Sequence, residues 1–216
     1  MPTQDAAALA ARFGLPPQEQ TPRVQFALAR LAEEAASLQD ALDAALAEAE
    51  RDALTGVLNR RGFMRELARA QALVERYEQS FAVLFLDLDG FKALNDQFGH
   101  GAGDCALMQA AQALRTQLRL EDHLGRLGGD EFAILLAHAD PESAQAKAES
   151  LVRHLAQTPR HYEGRNLYLA ASIGTAILQR GDRPELALAR ADEAMYGAKQ
   201  AAKRRAAIAA LGLDAA

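Results

Sequence analysis

A heptad pattern of apolar residues covers residues 24–49. Apolar residues recur there at alternating steps of four and three, at Val24, Leu28, Leu31, Ala35, Leu38, Leu42, Ala45 and Ala49. This spacing is that of the a/d seam of a coiled coil, and it lasts about as long as such a seam needs. We therefore predict a coiled-coil helix over residues 24–50 that joins two copies of the chain; a single amphipathic helix lying on its own domain is the alternative.

Residues 1–23, which precede this helix, contain an Ala-rich stretch followed by helix-breaking residues. The stretch favours a short helix, which is interrupted by Gly14, Pro16, Pro17 and Pro22. We expect only a short helical segment here, and we treat residues 206–216 as a C-terminal tail.

After Arg51 the pattern changes to that of alternating strands and helices. Residues 81–89 (FAVLFLDLD) are continuously apolar and end in acids, which predicts a buried strand. Apolar arms surround a Gly-Gly-Asp turn in residues 123–137, which predicts a hairpin. We predict a further strand over 167–178, and helices ending near Tyr77 and spanning 91–98, about 104–118, 141–157 and 184–203. The alternation predicts an α/β (α+β) domain over residues 51–205, with a central sheet surrounded by helices.

The composition excludes several classes of protein. With 216 residues, of which 25% are charged, the chain has the length and polarity of a folded domain with an appendage. Its single cysteine, Cys105, cannot form an intrachain disulfide. The net charge of −5 argues against binding of a nucleic-acid polymer. No apolar run is long enough to span a membrane and the N-terminus does not resemble a secretory signal, so we expect a cytoplasmic protein without a membrane partner.

Two pairs of acidic residues lie at the ends of predicted strands. Asp87 and Asp89 are two positions apart, so both side chains point to the same side of the strand end. Asp130 and Glu131 lie at the tip of the predicted hairpin. Carboxylates at strand ends are suitable ligands for Mg²⁺, and two facing clusters would support two-metal phosphoryl transfer. Taken singly, each acid could instead cap a helix or occupy a turn.

Five motifs in this part of the chain resemble those of the GGDEF family of diguanylate cyclases. The run RLGGDEFAILL resembles the family's signature, and the other four occur in the family's order, at DALTGVLNRR (52–61), FLDLDGFKALNDQFGHGAGD (85–104), ASIGTA (171–176) and ADEAMYGAK (191–199). The resemblance extends over residues 51–205. It implies a sheet related to the palm of nucleotide polymerases, and a reaction that joins two GTP molecules into cyclic di-GMP with release of two pyrophosphates.

The resemblance also implies roles for the acids. It assigns Asp87 and the backbone carbonyl of Leu88 to a metal site. Asp130 is implied as a further metal ligand and as the base toward the attacking 3′-hydroxyl, and Glu131 as a neighbouring catalytic residue and metal ligand. The implied cofactor is Mg²⁺, or Mn²⁺ in its place, with two ions in each half of the active site. Such ions would lower the pKa of the hydroxyl and neutralise charge on the α-phosphate.

Residues that bind the substrate are implied in the same way. Gly128 and Gly129 lack side chains, so the turn can approach the phosphates closely. Asn95 and Asp104 resemble the pair that binds guanine, and His100 lies in the same segment, near the base or the ribose. Asp104 could instead cap the following helix, and His100 could be a simple turn residue.

Three lysines are the implied contacts to the triphosphate. Lys92 follows the first acids, Lys199 lies in the last motif, and Lys203 stands where the family usually has arginine. Lysine keeps the charge but lacks the paired donors of arginine. The basic residues from Lys203 to Arg205 could also be a solvated helix end.

Arg119 and Asp122 form an RxxD motif shortly before the GGDEF run. In the family this motif is the inhibitory site, which binds the guanine edges of cyclic di-GMP. Taken alone, a four-residue pattern often arises by chance. At this distance from Gly128 it implies feedback inhibition by the product.

The resemblance implies that one active site needs two domains. Each GGDEF domain holds one GTP, so catalysis requires a homodimer, which the coiled coil over residues 24–50 would bring together. Residues 1–23 are too short for a sensory domain, so either the helix carries regulation or the chain is a small stand-alone or truncated cyclase. Two other functions remain open: a degenerate domain that binds GTP or cyclic di-GMP, and a coiled-coil adaptor. The presence of Asp87, Asp130 and Glu131 favours the enzyme.

Overall fold

The computed structural model describes residues 11–210, except for the side chains of residues 17, 47, 160, 165 and 202–210. Our predictions for residues 1–10 and 211–216 therefore concern residues outside the described range. Contacts within the chain divide it into two compact units, Met1–Ala49 and Glu50–Ala216. No helix among the described residues is both long enough and apolar enough to cross a membrane.

The first unit is built around one long helix. A short 3-10 helix, Pro17–Glu19, precedes α1, Pro22–Ala49. Proline is tolerated at the first helical position, because the N–H that it lacks would have no partner there. Three leucines of the predicted seam are exposed in the single chain, with exposed fractions of 59% at Leu31, 66% at Leu38 and 53% at Leu42. The predicted helix is therefore present, and its pairing with a second copy stays a prediction.

The second unit contains a five-stranded sheet with helices on both faces, and a separate two-stranded hairpin. In chain order its strands are β1 (Leu58–Asn59), β2 (Phe81–Asp89), β3 (His123–Gly128), β4 (Glu131–Ala137), β5 (Arg160–Tyr162), β6 (Arg165–Leu167) and β7 (Ala170–Ile177). The sheet order is β1-β3-β4-β2-β7, with β1 parallel to β3 and the other neighbours antiparallel, while β5 and β6 form a separate hairpin. The helices are α2 (Arg60–Tyr77), α3 (Phe91–Phe98), α4 (His100–Thr116), α5 (Pro141–Gln157) and α6 (Pro184–Ala210).

The sheet separates two hydrophobic cores. Side chains alternate between the two faces along a strand, so the even-numbered residues of β2 and β4 pack with α4 and α5, and the odd-numbered residues pack with α2 and α6. Leu84 and Ile134 lie in the first core, whereas Phe85 and Leu135 lie in the second. Asp87, two positions beyond Phe85, therefore lies on the face that α2 and α6 cover.

The backbone of helix α6 packs directly against Gly174 of β7. A Cβ on Gly174 would lie 2.0 Å from the Met195 nitrogen and 2.2 Å from the Ala191 oxygen, so only glycine fits at this position. Lys199 lies about one helical turn after Met195. The close contact of α6 with β7 therefore directs Lys199 toward the end of β2, where it meets Asp87.

The predicted fold class is confirmed, and several elements have the predicted bounds. Strand β2 and helices α3 and α5 begin and end at the predicted residues. Strands β3 and β4 pair as the predicted hairpin around the Gly-Gly-Asp turn. These elements have strong local signals, namely a continuous apolar run, a glycine-rich turn, and a proline that follows the Asp140 cap.

The start of α4 differs from the prediction. The helix begins at His100 and not near Asp104. We expected a turn because glycine disfavours a helix. Gly103 nevertheless lies inside the helix, where a Cβ would stand 2.0 Å from the Asn95 Oδ1. Glycine at position 103 is therefore explained by the space that the Asn95 side chain needs, and not by a turn.

Two further bounds differ. The predicted strand over 167–178 is divided, because β6 ends at Leu167 in its hairpin with β5, and β7 begins at Ala170 beside β2. Helix α6 continues to Ala210, beyond the predicted end, because the sequence there is rich in alanine, the best helix former. The prediction also missed β1 and β5, which have only two and three residues.

Candidate active site

The two predicted acidic pairs meet at the adjacent ends of β2 and β4. Asp87 is the direct partner of Glu131 in the antiparallel register, so their side chains lie on the same face of the sheet. The backbone N–H of Leu88 donates a hydrogen bond to the carbonyl of Asp130 at 3.2 Å. The structure therefore brings Asp87, Leu88, Asp130 and Glu131 together at one end of the sheet.

Asp89 does not cap the helix that follows it. The N-cap of α3 is Gly90, and no side chain forms a capping hydrogen bond there. The Asp89 carboxylate instead accepts hydrogen bonds from the Ser172 hydroxyl, at 3.1 and 3.0 Å to its two oxygens. Ser172 is buried on β7 and pairs with Asp87 in the strand register. No pattern in the sequence had indicated a role for this serine.

Lys199 supplies positive charge to this acidic cluster. Its ammonium donates a hydrogen bond to Asp87 Oδ1 and lies 3.6 Å from Asp89 Oδ1. Burial lowers the pKa of Lys199, but the hydrogen bond and charge of Asp87, with the charges of Asp89 and Asp130, outweigh burial and raise its pKa. A lysine predicted to contact the triphosphate thus pairs with a predicted metal ligand.

Negatively charged side chains lie close together where β2 ends and β4 begins. Burial raises the pKa of Asp130, and the charge of Asp87 adds to the shift. Burial also raises the pKa of Glu131, and the charges of Asp192, Asp87 and Asp130 act in the same direction. Burial and the neighbouring carboxylates therefore favour the protonated form of both acids in this arrangement.

The donor set fits a divalent cation that is shared with a substrate. Among the described residues, no group of three or more His, Cys, Asp and Glu side chains is placed to hold an ion by itself. Mg²⁺ in proteins is commonly bound through one or two carboxylates together with substrate phosphates. Asp87, Asp130, Glu131 and the carbonyl of Leu88 offer oxygen ligands of this kind.

Arg126 fixes the Gly-Gly turn. Gly129 has a φ of +49°, in the left-handed region that glycine adopts most readily. The Arg126 guanidinium donates hydrogen bonds to the Gly129 carbonyl, at 2.9 Å from Nε and 2.7 Å from Nη2. Since Gly129 directly precedes Asp130, the arginine constrains the backbone that carries the predicted base.

Asp52 connects this turn with the first residues of the second unit. Arg126 Nη1 donates to both Asp52 carboxylate oxygens, at 3.2 and 3.3 Å. The carboxylate also accepts from the N–H and hydroxyl of Thr55, at 2.9 and 2.5 Å. Burial raises the pKa of Asp52, but the hydrogen bonds from Thr55 and Arg126 outweigh burial, and the pKa is lowered. Asp52 and Arg126 both lie in motifs that resemble the GGDEF family, but neither residue was predicted to have a role.

The predicted guanine-binding residues lie on α3 and α4. The Oδ1 of Asn95 is buried and has no hydrogen-bond partner among the described residues, and an unpaired buried oxygen of this kind is costly. Asp104 is exposed inside α4, so it does not cap that helix. His100 is the first residue of α4 and is also exposed, so it belongs to a helix and not to a turn.

Of the other two predicted phosphate contacts, the structure describes the side chain of Lys92 but not that of Lys203. Lys92 is exposed on α3 and forms no ion pair with any side chain that the structure describes. Lys203 lies in α6, and its side chain is outside the described residues. Of the two predicted phosphate contacts whose side chains are described, Lys199 is therefore the one that contacts the acidic cluster.

The RxxD motif lies in the turn between α4 and β3. The two Asp122 carboxylate oxygens accept hydrogen bonds from the backbone N–H groups of Arg119, at 2.9 Å, and Ala137, at 3.2 Å. Arg119 is exposed, and it borders with Asp122 a cavity of about 130 Å³ that is also lined by His138 and Lys147. The structure thus brings the two predicted residues together and gives Asp122 a structural role as well.

Comparison with known proteins identifies the family. The family model described as "Diguanylate cyclase, GGDEF domain" matches residues 49–205. The bifunctional diguanylate cyclase/cyclic di-GMP phosphodiesterase MucR of Pseudomonas aeruginosa is 42% identical over 151 residues, which are 68% of this chain and 22% of MucR. The diguanylate cyclase TpbB of the same species is 39% identical over 170 residues, which are 78% of this chain and 39% of TpbB. The chain thus spans well under half the length of both relatives.

A solved structure has the same architecture. The coiled coil and GGDEF domain of DgcB from Caulobacter crescentus, crystallised in complex with c-di-GMP, superposes with a TM-score of 0.71 at 27% identity, covering 80% of this chain and 94% of that one. The order of the motifs, the order of the strands in the sheet and the match of the family model to residues 49–205 all indicate the same family. The chain belongs to the GGDEF family of diguanylate cyclases.

Proposed function

We propose that this chain is a diguanylate cyclase, which joins two GTP molecules into cyclic di-GMP and releases two pyrophosphates. The observation that carries the proposal is the placement of Asp87, Asp130 and Glu131 at one end of the sheet, beside the Gly-Gly turn. The names of the relatives MucR and TpbB support it. The presence of all three acids favours an enzyme over a domain that only binds nucleotide.

The proposed cofactor is Mg²⁺, for which Mn²⁺ can substitute, with two ions in each half of the active site. Asp87, the carbonyl of Leu88, Asp130 and Glu131 would hold these ions. When bound, they would supply positive charge at the attacking hydroxyl and at the α-phosphate. The crowding of carboxylates at half-buried positions on adjacent strands supports this assignment.

In the proposed reaction, the 3′-hydroxyl of one GTP attacks the α-phosphate of the other. The bond from O3′ to phosphorus forms as the bond from that phosphorus to pyrophosphate breaks, and Asp130 accepts the hydroxyl proton. The same step on the second GTP closes the ring. Arg126 holds the carbonyl of Gly129, so the base is carried by a backbone whose position is fixed before substrate binds.

Asn95 and Asp104 are the proposed guanine contacts, with His100 beside the base or the ribose. The Asp104 carboxylate can accept hydrogen bonds from N1–H and the exocyclic amine of guanine, a pair of donors that adenine lacks. The Asn95 amide can donate to a ring acceptor. The exposure of Asp104 on α4, close to the helix that carries Asn95, supports a ligand at this place.

Three lysines and the Gly-Gly turn are the proposed contacts to the triphosphate. Lys92, Lys199 and Lys203 would neutralise its charge. The backbone of Gly128 and Gly129 would lie against the phosphates. A Cβ at either glycine would meet no atom within 4 Å, so this turn is open to a ligand.

Catalysis in this proposal needs a homodimer, because each domain holds one GTP. Helix α1 would pair with its copy through the seam that contains Leu31 and Leu38. Their exposure in the single chain supports this role, as does the coiled coil named in the DgcB structure. Pairing would raise the local concentration of the two domains and set how they face each other.

The RxxD turn is the proposed inhibitory site for cyclic di-GMP. Arg119 would donate to a guanine edge, and Asp122 would accept from its N–H groups. Both residues border the same cavity, and Asp122 is held in place by two backbone N–H groups. Product would thus limit its own synthesis.

Replacing Asp130 or Asp87 by asparagine tests the proposed chemistry. With GTP and Mg²⁺, we expect each variant to form cyclic di-GMP at least about a hundredfold more slowly than the unmodified chain, because a base or a charged ligand is lost. Chromatography of the nucleotides measures the rate. Asp40→Asn, an exposed position on α1, is the matched control. An equal rate in all of these proteins would contradict the assignment.

A double substitution on α1 tests the dimer. We expect Leu31→Asp with Leu38→Asp to give a monomer with little activity, since two buried charges would disrupt an apolar seam. Light scattering after size-exclusion chromatography gives the mass, and the same samples give the rate. Ala36→Asp with Ala44→Asp adds the same charges off the seam and should keep the dimer. A monomer with full activity would refute the dimer requirement.

Arg119→Ala tests the inhibitory site. We expect the concentration of added cyclic di-GMP that halves the rate to rise at least about tenfold, because a charge-assisted hydrogen bond is lost. Arg153→Ala removes an exposed arginine from α5 and should leave inhibition as it was. Unchanged inhibition in Arg119→Ala would remove the RxxD motif from the inhibitory site.

A further inference from the structure

Lys199 holds the carboxylate that the proposed metal site requires. Its ammonium donates a hydrogen bond to Asp87 Oδ1 and lies 3.6 Å from Asp89 Oδ1. Its side chain is only 23% exposed, and that of Asp87 only 17%. Among the side chains that the structure describes, no other lysine or arginine forms an ion pair with Asp87. One ammonium thus lies against the carboxylate to which the proposed cation would bind.

The packing of α6 and β7 makes this contact specific. Gly174 lets the α6 backbone approach within contact distance one turn before Lys199. The Ser172 hydroxyl binds both oxygens of Asp89, which keeps that carboxylate beside the ammonium. Lys199 is therefore aimed at the acids by the fold, whereas an exposed surface lysine would be free to turn into solvent.

We infer that Lys199 acts as a stand-in cation in the nucleotide-free protein and hinders a divalent ion from binding there until a triphosphate arrives. The inference rests on the proposed metal and triphosphate sites of the cyclase. A divalent ion on Asp87 would bind either the oxygen that the ammonium holds or the other oxygen of the same carboxylate, and in both positions the two cations would repel each other. A triphosphate offers the ammonium replacement oxygens, so Lys199 can release Asp87 to the ion.

The consequence is that metal and nucleotide favour each other's binding through this one side chain. Such coupling is reciprocal: whatever nucleotide does to the metal affinity, the metal does to the nucleotide affinity. Lys92, a proposed phosphate contact that pairs with no described carboxylate, should contribute to nucleotide affinity alone. The two lysines therefore have separable effects, although both carry the same charge.

Titration of the full chain with Mn²⁺ alone tests this inference, with binding measured by electron paramagnetic resonance. In the absence of nucleotide, we expect Lys199→Met, which keeps the length of the side chain but not its charge, to bind Mn²⁺ at least about tenfold more tightly than the unmodified protein. Lys199→Arg keeps the charge and should retain the weak binding. Lys92→Met should also leave the affinity for Mn²⁺ alone unchanged, while it weakens binding of a non-hydrolysable GTP analogue.

The same titration with the GTP analogue present completes the test. The analogue should strengthen Mn²⁺ binding in the unmodified protein and should do so less in Lys199→Met. Thermal unfolding shows whether each variant is folded. Equal affinity for Mn²⁺ alone in the unmodified protein and in folded Lys199→Met, including no binding by either, would overturn the inference. Failure to convert GTP would instead contradict the proposed function, and the two results are read from separate experiments.

Discussion

Like charges held together on neighbouring strands are the constraint on which this site depends. The antiparallel register places Asp87 opposite Glu131, and the hydrogen bond from Leu88 to Asp130 brings the turn alongside. Carboxylates at half-buried positions repel one another, and nearby cations offset this repulsion. Lys199 supplies one positive charge from α6. The acids therefore form a site suited to an anionic substrate that brings its own divalent cations.

The rest of the domain holds these acids in place. Arg126 connects the Gly129 carbonyl with Asp52, so the first motif of the domain and the signature turn are joined although they are far apart in the chain. The contact of α6 with β7 determines where Lys199 lies. In the proposed reaction, the backbone that carries the acids is positioned before substrate binds, and the side chain of Lys199 is the part expected to move.

Local patterns predicted much of the fold, whereas long-range contacts escaped them. The apolar run of β2 and the Gly-Gly-Asp turn fixed their elements because each signal lies within a few residues. The bonds from Arg126 to Asp52 and from Ser172 to Asp89 join residues 74 and 83 positions apart, so no spacing rule indicates them. The motifs predicted Lys199 as a phosphate contact, but its hydrogen bond to Asp87 depends on how α6 packs. The predicted start of α4 was wrong for the same reason, since the close contact between Gly103 and Asn95, which requires a glycine inside the helix, depends on how α3 and α4 pack.

The proposed conversion of GTP is tested by the products that the unmodified protein forms. GTP is incubated with the full chain, with and without Mg²⁺, and cyclic dinucleotide and pyrophosphate are both quantified. We expect cyclic di-GMP only when Mg²⁺ is present, with two pyrophosphates released for each molecule formed. GTP that remains intact in the presence of Mg²⁺ and the folded protein, or that yields another product, would contradict the account.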